Sequence, residues 1–359
     1  MPKKAIIAMS GGVDSSVAAY LMKEAGYDCA GATMKLYDNP LASAPGQRAC
    51  CTPSDTEDAR NVASRLGMLY YVFPMQEEFR RCVIDKFTDT YLNGGTPNPC
   101  IDCNRFLKFD ALLAKARELG AEYIASGHYA RREQDPDTGR FLLKKGLDPT
   151  KDQSYVLYSM TQDQLSHTLF PLGTYTKTEI RRIAQEQGFI NADKPDSQDI
   201  CFVPDGDYAA FIERYTGKES APGDFVDKEG HVLGKHKGQI HYTIGQRRGL
   251  GIAAPQSLYV CAKSLKTNQV ILGKKEDLMT SSCLVSDINL IPWDSLSAPV
   301  RCKVKTRYRQ PEQPATVEQI GEDLLKITFD EPQRAVTPGQ AAVLYDGDLV
   351  LGGGTIIPG

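Results

Sequence analysis

The stretch AMSGGVDSSVAAYLM, Ala8 to Met22, constrains this chain more than any other. Before it, Lys3–Ala8 reads KKAIIA and predicts a short buried strand. After it, Val17, Ala18, Leu21, Met22 and Ala25 recur at helical spacing until Gly26 stops the helix. Strand, small polar turn, helix is a layout that grips an anion. Glycines let the backbone come close, and the unpaired N–H groups and dipole of a helix start attract negative charge. The serine hydroxyls add donors. The loop lacks the lysine of GxxxxGK[ST] and the third glycine of GxGxxG, so neither of those loops is present. An acid beside phosphates, here Asp14, makes sense if it helps to hold Mg²⁺. SGG alone would describe a tight turn before a capped helix; the whole string after a strand points to a nucleotide.

Alternating strand and helix signals continue to about Gln198. Strands are expected at Ala30–Leu36, Leu69–Phe73 and Tyr123–Ser126. Helices are expected at Thr56–Leu66, Glu77–Leu92, Phe106–Leu119 and Thr178–Gln187. This βα pattern predicts an α/β fold with a parallel, doubly wound sheet. Ligands of such sheets bind beyond the carboxyl ends of strands, where the opening loop and Ser126-Gly127-His128-Tyr129 would lie. After Asp205 the texture changes to glycines and short β-type runs at Gln239–Ile244, Leu258–Val260 and Gln269–Leu272. From about Thr280, alternating runs at Pro299–Tyr308, Ala315–Glu318, Leu324–Phe329 and Ala341–Leu344 predict a small antiparallel barrel. Three domains are therefore expected, 1–204, 205–279 and 280–359. At 359 residues, 41% hydrophobic and 24% charged, the chain can bury real cores. No apolar run approaches a membrane span, and Met1-Pro2-Lys3-Lys4 followed by a strand does not read as a signal peptide. The expected compartment is the cytoplasm, with no membrane partner. A net charge of −3 argues against a general nucleic-acid glue and leaves room for a local basic surface.

Ten cysteines in a chain of this length are not a disulfide scaffold; clustered, they read as metal or redox chemistry. TPNPCIDCN, Thr96 to Asn104, holds a proline-rich turn and a CxxC before the helix expected from Phe106. A thiolate near a helix start is stabilised by the dipole, so Cys103 is the first candidate for a reactive thiol. Cys201 lies at the expected domain junction, where active sites often sit. No second CxxC exists to complete a zinc ribbon. Cys50-Cys51 read as metal ligands or, more simply, surface thiols. Among the histidines, His128 matters most, because it follows a strand in a glycine-containing turn.

SGGVDS resembles the pyrophosphate loop of ATP pyrophosphatases, which cleave ATP between the α and β phosphates. Together with TPNPCIDCNRFLKF, IASGHYAR, KDQSYVLYSM, DSQDICFV and HYTIGQRRGLGI, it makes the whole chain resemble the bacterial tRNA-specific 2-thiouridylases. The motifs run in family order from end to end. The resemblance implies a sheet of the adenine nucleotide α-hydrolase-like (PP-loop) type. It implies a sulfurtransferase that converts uridine 34, the wobble base of tRNA(Lys), tRNA(Glu) and tRNA(Gln), to 2-thiouridine. ATP adenylates the C2 oxygen, pyrophosphate leaves, sulfur attacks C2 and AMP leaves. By the same resemblance, Ala8, Met9, Ser10, Gly11, Gly12, Val13, Asp14, Ser15, Met34 and Gly127 contact ATP, with Mg²⁺. Cys103 matches the nucleophile. Cys201 matches the carrier of a persulfide delivered by a cysteine desulfurase or a sulfur-relay protein, and the two are implied to pair as a disulfide when sulfur is released. Some members carry an Asp, assigned as general acid or base, where this chain has Cys100; here Asp102 or Cys100 would have to serve. Alternatively Cys100, Cys103 and Cys201 hold a [4Fe–4S] cluster with one iron open to hydrosulfide.

For RNA, the resemblance assigns Asn98 to the target base, and His128, Lys151, Asp152, Gln153, Arg307, Tyr308 and Gln340 to tRNA. An anticodon base must leave its stack to reach a buried α-phosphate. The residues add their own signal. Arg301, Lys303, Lys305, Arg307 and Arg309 alternate, and on a strand all five would share one face about 6.6–6.8 Å apart. That is a basic stripe suited to phosphates, with Tyr308 on the other side. Lys235, Lys237, Arg247 and Arg248 are a second candidate patch. Two other classes compete: an ammonia-using ATP pyrophosphatase needs no reactive cysteine pair, and a non-enzymatic RNA-binding or iron–sulfur protein needs no SGGVDS.

Overall fold

The computed structural model describes residues 2–37, 53–196 and 200–358. The Cys50-Cys51 pair lies outside them. The first part runs β1 (Lys4–Ala8), α1 (Val13–Glu24), β2 (Asp28–Lys35), α2 (Pro53–Arg65), β3 (Leu69–Pro74), α3 (residues 76–92), α4 (residues 99–118), β4 (Tyr123–Ser126), β5 (Ala130–Gln134), β6 (Phe141–Lys145), α5 (Gln162–Ser166), β7 (Thr168–Leu169) and α6 (Lys177–Glu186). The sheet order is β3-β2-β1-β4-β7, with every neighbouring pair parallel. Side chains of β1 alternate between two cores. Ile6 joins Ala32, Met34 and Ile124 under α3 and α4, while Ala5 and Ile7 join Val17 and Ala18 of α1 and Val62 of α2. Burial on both faces is why the strand reads as an unbroken apolar run. The sheet is doubly wound, as expected.

Two helices differ from expectation. α3 loosens into a π turn over Arg80–Asp85, and α4 does so over Cys103–Ala111. α4 also starts at Pro99 rather than Phe106. Asn98 caps it by accepting the Cys100 N–H at 3.2 Å, and Pro99 suits the first helical position. The CxxC thus lies inside the helix and not ahead of it.

Beyond α7 (Tyr208–Thr216), β8 (Gly223–Val226), β9 (Val232–His236), β10 (Tyr259–Ser264) and β11 (Gln269–Gly273) form a mixed sheet in the order β10-β11-β8-β9. It packs on Phe225, Tyr242, Val260, Val270 and Leu272. Gln239–Ile244 is not the expected strand. Gly238, at φ +123°, bends the chain into a single 3₁₀ turn over Gln239–His241.

The last part is the expected antiparallel barrel. β12 (Met279–Leu290), β13 (Val300–Lys305), β14 (Gln313–Gly321), β15 (Leu324–Arg334), β16 (Ala341–Asp346) and β17 (Leu349–Ile357) run β12-β15-β14-β13-β16-β17, and β17 pairs back onto β12. The β5–β6 hairpin, unforeseen from the sequence, leaves the nucleotide-type sheet and joins this barrel. Leu143 and Lys144 pair with Val350 and Leu349. Among the described residues no helix is long and apolar enough to cross a membrane.

Candidate active site

In the order β3-β2-β1-β4-β7, chain direction away from β1 reverses between β1 and β4, and the crevice beyond their carboxyl ends is where such sheets bind ligands. Two loops meet there. The first is 9–12. Gly11 takes φ +73°, and a Cβ on it would lie 2.1 Å from the Asp55 carbonyl oxygen. Gly12 caps α1 with no side-chain hydrogen bond, so the first-turn N–H groups of a twelve-residue helix face outward without a cap. Ser15 and Ser16 turn their hydroxyls back onto the Gly12 carbonyl at 3.0 and 3.1 Å, fixing the turn's shape. The second loop follows β4, where a Cβ on Gly127 would meet the Asp14 carbonyl carbon at 2.8 Å and the Ser15 nitrogen at 2.9 Å. Any larger residue would push the loops apart.

The structure gives Asp14 a partner that the sequence reading missed. Lys177 Nζ donates to both carboxylate oxygens, at 2.7 and 2.8 Å, and Tyr129 Oη donates to one at 2.8 Å. Lys177 also meets Asp196 at 2.7 Å, and Lys151 and Arg181 converge on the same carboxylate. Burial pushes the Asp196 carboxyl up, but hydrogen bonds from Lys151 and Lys177 outweigh it and hold it below its ordinary value. Asn191 and Lys194 brace the loop from the other side, both donating to the Gly11 carbonyl. A signal for Lys177 existed. Thr176-Lys177-Thr178-Glu179 is a capping box, and a lysine at the first position of a helix opposes the dipole unless acids hold it.

Asp14 is thus engaged by a lysine and a tyrosine rather than standing open for a cation. Among the described residues, the one set of three metal-ligating side chains within 4.8 Å of each other is Asp227, Glu229 and His231, in the β8–β9 turn. Among the described residues no set of three such ligands lies at the loop. Cys100, Cys103 and Cys201 are likewise not gathered into such a set. Each thiolate of a [4Fe–4S] cluster binds a different iron and stands further from its neighbours than the ligands of one ion do, so this spacing bears on a single shared ion and not on the cluster alternative.

Cys103 is buried, at 9% exposure, in the apolar cluster that also holds Ile101, Leu36 and Tyr37, and Cys201 packs against that cluster. Tyr37 follows the carboxyl end of β2 and donates to the Cys201 carbonyl at 3.4 Å. The Cys201 backbone is therefore tied to the carboxyl end of β2, and both cysteines belong to or pack on the core on that side of the sheet. Cys100 is exposed. Asp102 points into the protein and pairs with Lys86 at 2.6 Å; burial raises its carboxyl despite that lysine.

The residues assigned to RNA are tied together, and several face inward. His128 is 8% exposed, packed against Phe109 and Phe170 and hydrogen-bonded to Ser126, and burial holds it neutral. It packs as part of the core beside the loop. Arg307 is also drawn into the fold. β13 ends at Lys305, the chain turns, and Arg307 donates to the carbonyls of Ile244 and Ala335 and to Thr337. The stripe keeps Arg301, Lys303 and Lys305, with Arg301 paired to Asp330; Arg307 and Arg309 lie past the strand. Tyr308 donates to the Asp152 carbonyl at 3.1 Å. The Asp152 side chain accepts from Gly146 and Ser154, and Gln153 accepts from the Tyr129 N–H. Gln340 donates to the Thr96 carbonyl at 2.7 Å, holding the barrel to the loop that leads to Asn98.

A doubly wound sheet with an uncapped, glycine-lined helix start at its switch point, and no P-loop lysine, defines a PP-loop nucleotide-binding α/β domain. Comparisons with known proteins narrow the class. Residues 3–205 match the tRNA methyl transferase HUP domain model, 209–274 the tRNA methyl transferase PRC-barrel domain, and 280–356 the aminomethyltransferase beta-barrel domain. A relative from Clostridioides difficile, a tRNA-specific 2-thiouridylase MnmA, is 51% identical over 357 residues, covering 99% of this chain and 98% of its own. One of the same description from Clostridium acetobutylicum is 51% identical, covering 99% of this chain and 100% of its own. Among solved structures, a 4-thiouridine synthetase–RNA complex with bound ATP aligns at 20% identity and a TM-score of 0.37, over 56% of this chain and 45% of that one; that overlap is too slight to argue from. The chain belongs to the tRNA-specific 2-thiouridylase family of sulfurtransferases.

Proposed function

We propose that this protein makes 2-thiouridine at the wobble position, uridine 34, of tRNA(Lys), tRNA(Glu) and tRNA(Gln), using ATP and a cysteine persulfide. The observation that carries the ATP half is the uncapped start of α1, wedged between two glycine loops and ringed by Lys177, Lys151 and Lys194. The nucleotide arrives as its Mg²⁺ complex, with its phosphates on the loop 8–15 and Met34 and Gly127 nearby. The uracil C2 oxygen attacks the α-phosphorus, and pyrophosphate leaves toward the helix start. Lys177, already clamped by two carboxylates, needs little reorganisation to meet the growing charge. The ring oxygen is then a phosphate ester and can leave as AMP.

Cys201 carries the outer sulfur as a persulfide, loaded by a cysteine desulfurase or a sulfur-relay protein in the cytoplasm. The Cys103 thiolate attacks the inner sulfur, sulfide departs with the electron pair, and a Cys103–Cys201 disulfide remains. Sulfide attacks C2 and expels AMP. The basic face of β13 and the Lys151–Gln153 segment take tRNA phosphates, and Asn98 and Tyr308 lie where the flipped base enters.

A single-turnover experiment with Cys103→Ala tests the order of steps. The variant should release pyrophosphate and accumulate adenylated tRNA while making no 2-thiouridine. Thiolation at the wild-type rate in that variant overturns the reading.

A further inference from the structure

The turn 94–98 leads into the cap of α4, so its position sets where Asn98 stands and where that helix begins. The end of α3 holds one side of it: the Gly95 N–H donates to the Thr90 carbonyl at 2.9 Å. The barrel holds the middle. The Thr96 N–H donates to the Pro338 carbonyl at 2.9 Å, and the Thr96 carbonyl accepts from the Gln340 amide at 2.7 Å. Both backbone groups of Thr96 are therefore satisfied from the β15–β16 loop, residues 335–340. That loop is itself fixed to the barrel. Gly339 and Gln340 exchange hydrogen bonds with Ile356 of β17, both at 2.8 Å, and Arg307 donates to the Ala335 carbonyl and the Thr337 hydroxyl.

Two glycines permit this approach. A Cβ on Gly95 would lie 2.8 Å from Thr90 Cγ2 and 3.1 Å from the Pro338 carbonyl oxygen. A Cβ on Gly339, which takes φ +88°, would lie 2.8 Å from the same methyl and 3.0 Å from the Thr96 nitrogen. The Thr90 methyl thus fills the crossing of two backbones that bring no side chain to it. Gly95 and Gly339 have no group that could bind RNA or ATP, so what they contribute is distance. We infer that the loop 335–340 is a positioning clasp for the target base, setting the Asn98 turn at a fixed place relative to the barrel. It rests on the reading above, in which the barrel takes tRNA phosphates and the flipped uridine enters at Asn98. Gly95, Gly339 and Thr90 are then positioning residues, acting through Asn98. A displacement of about 1 Å at a reacting centre can cost on the order of 10²-fold in rate, whereas affinity drawn from phosphate contacts elsewhere is kept.

The test compares full-length wild type, Gly95→Ala, and Gly95→Ala combined with Thr90→Ser. Serine keeps the hydroxyl that donates to the Lys86 carbonyl at 2.7 Å and removes only the methyl. Three quantities are read: the stoichiometry and affinity of ATP binding without tRNA, tRNA affinity, and single-turnover 2-thiouridine formation by persulfide-loaded protein at saturating ATP and tRNA. Gly95→Ala should bind ATP and tRNA within about threefold of wild type and thiolate at least about 30-fold more slowly. Adding Thr90→Ser should bring the rate back to within about threefold of wild type. A wild-type rate in Gly95→Ala, a loss of tRNA affinity in step with the rate, a fall in ATP stoichiometry that accounts for the lost rate, or no recovery in the double variant overturns the inference alone. A wild type that binds ATP and tRNA yet forms no 2-thiouridine overturns the functional reading and the inference with it.

Discussion

The phosphate loop and the basic strand of the barrel both present themselves in sequence as short, charged or polar patterns. They fold to opposite effect. In the loop, the residues that announce the site are those that shape it, because a turn between a strand and a helix is fixed by its own few torsions and contacts. In the barrel, the alternation from Arg301 to Arg309 assumes a strand that continues, and the strand stops at Lys305. Past that point half-buried Arg307 holds three oxygens from two segments, Ile244 on one and Ala335 and Thr337 on the other. A local pattern is a reliable guide to function only where local geometry decides the side chain's direction.

Substitutions can break this contrast. Gly11→Ala should have the largest effect: a positive φ and a 2.1 Å clash with the Asp55 carbonyl should cost roughly 2–5 kcal/mol and lower ATP turnover by at least about 100-fold. Denaturant unfolding and pyrophosphate release would measure the two. Lys177→Met comes next. It leaves the Asp14 and Asp196 carboxylates without their shared cation, and adenylation should fall about 10²–10³-fold at saturating ATP. Unchanged pyrophosphate release would restrict Lys177 to folding.

The third prediction separates two cations of one stretch. Lys303→Ala should leave the melting temperature unchanged and reduce the salt slope of tRNA binding by about 1. Arg307→Ala should do the reverse: about 2–4 kcal/mol of stability lost with its three part-buried acceptors stranded, and the slope retained. The smallest effect concerns a buried lysine without a carboxylate clamp. Lys263 donates to the Tyr242 carbonyl, and burial pulls it from 10.5 down to about 8. The folded state therefore binds fewer protons than the unfolded chain between those values, so stability should rise with pH from about 8 to 10.5. The difference of about 2.5 pKa units, at 1.36 kcal/mol each, bounds the gain near 3 kcal/mol. Lys263→Met should flatten that slope in pH-dependent unfolding.

The same contrast explains what could be seen in the sequence. The doubly wound sheet, the position of the loop and the antiparallel barrel follow from periodicity and from glycines at fixed offsets. Lys177 was hidden because its acids come from 163 residues away, at Asp14, and 19 residues on, at Asp196. The burial of His128 was not legible, because a glycine turn after a strand suggests exposure while Phe109 and Phe170 close over the ring from distant segments. The start of α4 was readable in principle, since Asn98-Pro99 is a cap followed by the residue suited to first position, but the CxxC drew the reading toward a loop. The β5–β6 hairpin was invisible, because its partner β17 lies some 200 residues away and only three-dimensional pairing selects it.

The central claim is that the outer sulfur carried on Cys201, released as sulfide by Cys103, reaches the adenylated base on protein without a cluster. Protein purified without air and shown to be free of iron and acid-labile sulfide, loaded with ³⁵S persulfide, tests it in a single turnover with ATP and tRNA. The account predicts label leaving the Cys201 peptide and appearing stoichiometrically in 2-thiouridine. Thiolation that appears only when iron and sulfide are rebuilt on the protein, with the label left on Cys201, would contradict it.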